Sequence, residues 1–147
     1  MAATAFRSPV ERYLGDAERA VIAYRVDYPD GHEIPPHVHD RHQLLHAASG
    51  VVLADTAQGH WVIPPQRGLW IPAGVTHRVR MLGAVAMKSL YLAPAAVPGM
   101  PAGCQALEIT PFMRALLDEA TALPTAYPLE PRALALMEMI RREVPRL

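Results

Sequence analysis

The stretch GHEIPPHVHDRHQLLHAASG, residues 31–50, holds five of the chain's seven histidines. Their spacing decides what the rings are for. In an extended strand, residues two apart lie on one face about 6.6 Å from each other, twice the rise per residue. His37 and His39 therefore point the same way, and Gln43 shares their odd parity. His42 and His46 have the opposite parity and are expected to look outward. With His32 and His60 they read as solvated or edge residues. Two imidazoles converging from one strand make half of a metal site, because coordination needs donors roughly 2.0–2.1 Å from a single point.

The other half has to come from a neighbouring strand. Residues 72–79, PAGVTHRV, offer it. Pro72 ends one strand, Gly74 permits a tight turn, and His77 begins the next strand. Beyond His77 the alternation continues. Arg78, Arg80 and Lys88 take the outer parity, so Val79, Met81, Met87, Ser89 and Tyr91 are predicted to line the interior as a ligand pocket.

Short apolar or alternating runs surround these segments: AVIAYRVDY from Ala20, HQLLHAA from His42, VVLADT from Val51, HWVI from His60, GLWIP from Gly68, HRVRML from His77 and VAMKSLYL from Val85. Gln58-Gly59 and Gly83-Ala84 supply turns, with glycine accommodating positive φ. Many of the 15 prolines sit at segment edges, which suits short strands better than long helices. Strands at this spacing, with no helix between them, predict an antiparallel barrel or sandwich over roughly residues 20–92.

After Leu92 the character changes. APAAVPGMPAG, residues 93–103, is a connector that resists regular structure. Thr110 then reads as an N-cap with Pro111 at the first helical position. Met113, Leu116, Leu117 and Ala120 share one face of that helix. A second helix, Pro131 to Glu143, groups Ala133, Leu136, Met137, Ile140 and Val144. Leu134 and Met139 fall off that face and predict a subunit interface. The expected organisation is one domain, with a barrel over residues 1–95 and a connector plus two helices over residues 96–147.

Composition bounds the partners. The chain has 147 residues, is 51% hydrophobic and 19% charged, and carries no formal net charge. It therefore lacks the basic surface that phosphate neutralisation requires, and is predicted not to bind DNA by itself. The single cysteine, Cys104, excludes an internal disulfide and fits a reducing compartment. No segment approaches the roughly 20 continuous apolar residues of a membrane span. The expectation is a soluble, cytoplasmic domain.

Gly31-x5-His37-x-His39-x3-Gln43-x6-Gly50 resembles the first cupin motif, except that Gln43 stands where the family usually has Glu. Pro72-x-Gly74-x2-His77 resembles the second, with Gln66 in place of an upstream glycine and Met81 where Asn is common. The resemblance implies a cupin-like antiparallel β-barrel (a double-stranded β-helix or jelly roll) and a divalent transition metal held by His37, His39, Gln43 and His77. An amide ligand in place of a carboxylate leaves a divalent ion near +2 locally. That weakens the site for Mn²⁺, favours imidazole-preferring Zn²⁺, Ni²⁺ or Cu²⁺ over it, leaves Fe open, and attracts an anionic ligand.

The run WVIPPQRGLWIPAGVTH, residues 61–77, with the strand ending SLYL at Leu92, is similar to the cupin sensor domain of AraC-type transcription regulators. The resemblance covers roughly Ala20 to Leu147. It implies a barrel that binds a small-molecule effector and helices that form a homodimer, while DNA is bound through a C-terminal helix-turn-helix region. That region would begin where this sequence stops, as in an excised sensor domain or a naturally short relative. The alternative is a small stand-alone metal-dependent cupin enzyme, an isomerase, dioxygenase or decarboxylase. General acid–base chemistry needs a group within hydrogen-bond reach. The nearest acids in the motif strands are Asp40, of the wrong parity, and Asp55, beside a turn. Their scarcity favours binding over turnover.

Overall fold

The computed structural model describes residues 6–147. A short helix α1 (Glu11–Leu14) precedes eight strands: β1 (Val21–Tyr28), β2 (Glu33–His37), β3 (His42–Ala47), β4 (Val51–Thr56), β5 (Gly59–Ile63), β6 (Arg67–Ile71), β7 (His77–Leu82) and β8 (Val85–Leu92). Strand β9 (Gln105–Glu108) and helices α2 (Pro111–Ala122) and α3 (Pro131–Glu143) follow. The strands form two antiparallel sheets, ordered β1-β8-β3-β6-β9 and β2-β7-β4-β5. This is the antiparallel β-rich fold with two C-terminal helices that the residue pattern predicts. Among the described residues, no helix is long and apolar enough to cross a membrane.

Period-two patterning decides which face each residue meets. On β7, His77, Val79 and Met81 are buried while Arg78, Arg80 and Leu82 are exposed. Leu45, Leu69, Ile71 and Met87 of the first sheet pack against Val52, Ala54, Val79 and Met81 of the second, filling the space between them. Strand β3 is buried along almost its whole length, because it lies mid-sheet and is covered on both faces. Its outward Leu44, with Val21, Ala23, Trp70, Leu90 and Leu92 of neighbouring strands, meets Met113, Leu117, Met137 and Ile140 of α2 and α3.

The helices begin where their caps dictate. Thr110 accepts the Met113 amide N–H at 3.1 Å, and Glu130 accepts the Ala133 amide N–H at 2.7 Å. Each helix has proline in its first turn, where the missing N–H costs nothing.

Two expectations change. The sequence predicts only a connector and two helices over residues 96–147, yet Gln105–Glu108 pair with β6 as a fifth strand of the first sheet. His46 does face outward, as its parity requires, but it is buried at 1% exposure rather than solvated. The helices dock over the outer face of this sheet, which strand parity alone does not reveal. His32 and His60 are exposed and His42 is half-buried, as expected.

The glycine closing the first motif has a steric reason. Gly50 sits at φ 72°, and a Cβ there would lie 2.6 Å from the Ala84 carbonyl oxygen. The β3–β4 turn and the β7–β8 turn cross too closely for any side chain.

Candidate functional site

His37 ends β2 directly opposite His77 at the start of β7, with a register irregularity just before it. His39 lies two residues further on. Val38 between them is exposed, while His37 and His39 are buried. The turn that delivers His77 passes through Gly74 at φ 84°, whose N–H donates to the His39 carbonyl oxygen at 2.9 Å. The two motifs are thus tied together by their backbones as well as by their rings. Ring centroids stand 4.2 Å apart for His37–His77, 4.9 Å for His37–His39 and 5.3 Å for His39–His77. One potential ligand atom from each lies within 4.8 Å of the others.

The hydrogen bonds orient these rings. His37 Nδ1 lies 2.8 Å from the Pro35 carbonyl oxygen, and His77 Nδ1 lies 3.0 Å from the Val75 carbonyl oxygen. His39 Nδ1 meets the Glu11 carboxylate of α1. All three partners only accept, so each Nδ1 carries the proton and each Nε2 keeps its lone pair. His39 Nε2 and His77 Nε2 are buried without any partner. Burial, reinforced by the neighbouring imidazoles, holds His39 at about 4 and His77 at about 3, and burial lowers His37 as well. Neutral imidazoles with converging lone pairs are the form that ligates metal.

Gln43 is inside the barrel at 3% exposure. Its Nε2 donates to Ser89 Oγ at 3.2 Å and Tyr91 Oη at 3.3 Å, leaving Oε1 buried and unpartnered. Buried polar atoms are nearly always satisfied, so a cluster of orphan acceptors marks a place where an electrophile fits. A divalent cation suits three imidazole nitrogens and an amide oxygen. Hard ions prefer more carboxylate than this set contains.

Of the predicted interior residues, Val79, Met87, Ser89 and Tyr91 share with Gln43, His37 and His77 a cavity of about 20 Å³. Met81, also predicted to line the pocket, does not reach it; it belongs to the packed apolar core between the sheets. Its strand continues past the cavity, and side chains from both sheets close over it. The Tyr91 hydroxyl is fully enclosed, which pushes its phenol well above the ordinary range.

The acid nearest the site is one that the strand pattern misses. Asp40 is exposed, and Asp55 pairs with His60 at 2.7 Å on the outer surface. Glu11 instead reaches His39 across 28 positions of sequence. Nothing local in SPVERYL foretells that contact. Since Glu11 occupies Nδ1 and the orphan nitrogen is Nε2, its carboxylate sits behind the ring and not in the cavity.

A family model described as the AraC-like ligand binding domain matches residues 19–141. The HTH-type transcriptional regulator NimR of Escherichia coli (strain K12) is 32% identical over 111 residues, covering 76% of this chain and 40% of that protein. This chain therefore spans well under half of that relative's length. Among solved structures, the Schizosaccharomyces pombe Cnp3 cupin domain is similar at 16% identity and a TM-score of 0.48, covering 52% of this chain and 58% of that one. An RmlC-like cupin from Shewanella frigidimarina is similar at 15% identity and a TM-score of 0.47, covering 50% and 67%. With the family model spanning most of its length, and its barrel and two helices in place, this chain belongs to the AraC-like ligand binding domain family.

Proposed function

We propose that this chain is the effector-sensing module of an AraC-type transcription regulator, in which His37, His39, His77 and Gln43 hold a divalent transition metal that helps bind a small anionic ligand. The observation that carries this reading is the arrangement of the imidazoles. Every Nδ1 is committed to an acceptor, a ring nitrogen from each of the three lies within 4.8 Å of the others, and Gln43 lines the same cavity as His37 and His77. Zn, Ni, Cu and Fe all suit such a donor set. The bound ion would supply Lewis-acid positions to an anionic oxygen.

Binding would be relayed through strands that have two faces. On β3 and β8, Gln43, Ser89 and Tyr91 point to the cavity, while Leu44, Leu90 and Leu92 meet the helices. A shift of either strand is felt on both sides, since packed interiors transmit displacement. The helices would form the homodimer, with Leu134 (46% exposed) and Met139 (37% exposed) at the interface. DNA contact would fall to a helix-turn-helix segment outside the AraC-like domain. Among the described residues, none that lines the cavity is a carboxylate able to serve as a general acid or base, which supports sensing over turnover.

The test is elemental analysis of protein purified without an affinity tag or chelator, alongside His39→Ala. About one equivalent of transition metal is expected in the parent and little in the variant. Equal metal in both would overturn the assignment.

A further inference from the structure

The barrel is open along one side. Strands β5 and β6 adjoin across one seam, whereas the opposite seam runs between β1 and β2, the edge strands of the two sheets. Here the inward residues of β1, Tyr24, Val26 and Tyr28, are only half-buried. They bound a groove of about 300 Å³ with Ile34 and His32 on one side and Phe6 and Pro9 on the other. The His32 ring stacks on Tyr28, with centroids 4.6 Å apart and planes 19° from parallel, making a flat wall.

The groove and the interior cavity share Tyr24, Val26, Tyr28 and Ile34 in their walls. The interior holds only a water-sized group, whereas the groove matches the lower end of small-molecule sites, about 300 Å³. Among the described residues, no carboxylate, lysine or arginine side chain lines the groove, and His32 is its one imidazole. The other approach, over the barrel mouth, is lined by the carboxylates of Glu11 and Asp40 with one cation, Arg7. An anion is therefore disfavoured there and unopposed at the seam. The interior cavity on the far side of that shared wall is lined by His37, His77 and Gln43, whose Nε2 donates to the Ser89 and Tyr91 hydroxyls.

We propose that the β1–β2 seam is the effector site, and that it takes a small aromatic carboxylate. The ring lies between Tyr24, Phe6 and the Tyr28–His32 wall, and one carboxylate oxygen enters the interior cavity toward the histidines. This rests on the anion-binding metal site proposed above. It adds the route of entry and the chemical class of the ligand's other end.

The experiment compares benzoate with acetate by titration calorimetry on the full chain loaded with Zn²⁺. Both present the same head, and only benzoate has a ring. Benzoate is expected to bind about tenfold more tightly or better, the factor one aromatic contact supplies. Val26→Trp fills the groove, and Tyr24→Leu removes an aromatic wall with little change in bulk. In either variant the benzoate-to-acetate ratio is expected to fall toward one, and the second serves if the first fails to fold. Equal affinities in the parent would overturn the seam and leave the metal site standing. So would a benzoate advantage that survives both variants. If neither anion binds zinc-loaded protein, the anion-binding reading itself fails, and the seam proposal with it.

Discussion

Glu11 offers the sharpest test of how the histidine site is held. Its carboxylate accepts the Nδ1 proton of His39 while Gln43, at the position where cupins usually carry Glu, brings no charge. The nearest negative charge to the proposed ion therefore acts through an imidazole. Carboxylates placed behind a ligating histidine fix its tautomer and raise its basicity, and losing one costs roughly 10–100-fold in metal affinity. That corresponds to about 1.4–2.7 kcal/mol. Glu11→Gln keeps an acceptor but removes the charge, so a loss near the lower bound, about tenfold, is expected. Glu11→Ala removes both, and a loss toward 100-fold is expected. In the metal-free protein, Glu11→Ala also leaves a donor on a ring that is 3% exposed. An unsatisfied buried donor costs about 1–3 kcal/mol, so the melting temperature should fall by several degrees. Competition for Zn²⁺ against a chromogenic chelator reads the first effect, and thermal denaturation after chelation reads the second. Asp55→Asn, whose carboxylate pairs with His60 on the outer surface, is the matched control and should change neither. Zinc affinity within twofold of the parent in both Glu11 variants would refute the reasoning.

Three further outcomes are expected. Metal-free protein should lose stability as pH falls from about 6.5 toward 4, because the unfolded chain's histidines bind protons there while His39 and His77, held at about 4 and about 3, do not. The slope is about 1.4 kcal/mol per pH unit for each histidine kept neutral. Burial also lowers His46, so His46→Leu should make that slope shallower in pH-dependent urea denaturation; an unchanged slope counts against its buried neutral state. Gly50→Ala should destabilise by about 1–3 kcal/mol in urea titration, since φ 72° and a Cβ 2.6 Å from a backbone oxygen leave nowhere to relax; a neutral result would mean the two turns separate easily. Leu134→Glu should convert a dimer to a monomer in sedimentation at micromolar concentration, and a parent that is already monomeric there argues against α3 as the interface.

Features that depend on neighbours along the chain were legible in the sequence. Strand parity placed His77 inward and Arg78 and Arg80 outward, because successive strand residues must take opposite faces; His37 and His39 are buried too, but through the register irregularity after Ile34 and the chain beyond β2 rather than by regular alternation. The cap at Thr110 and the start of the second helix at Pro131 were readable for a similar reason: the first turn of a helix needs acceptors and tolerates proline; the Glu130 cap was not read. The contact between Glu11 and His39, the burial of His46, the seclusion of Met81 and the pairing of β9 with β6 were not readable in this way. Each depends on which surface of one element lies against another distant in sequence. No periodicity encodes that, since the same alternating strand is satisfied by solvent, by a helix or by a second sheet. Parity chose the faces of His46 on β3 and His77 on β7, and only the docking of distant elements decided what each face would meet.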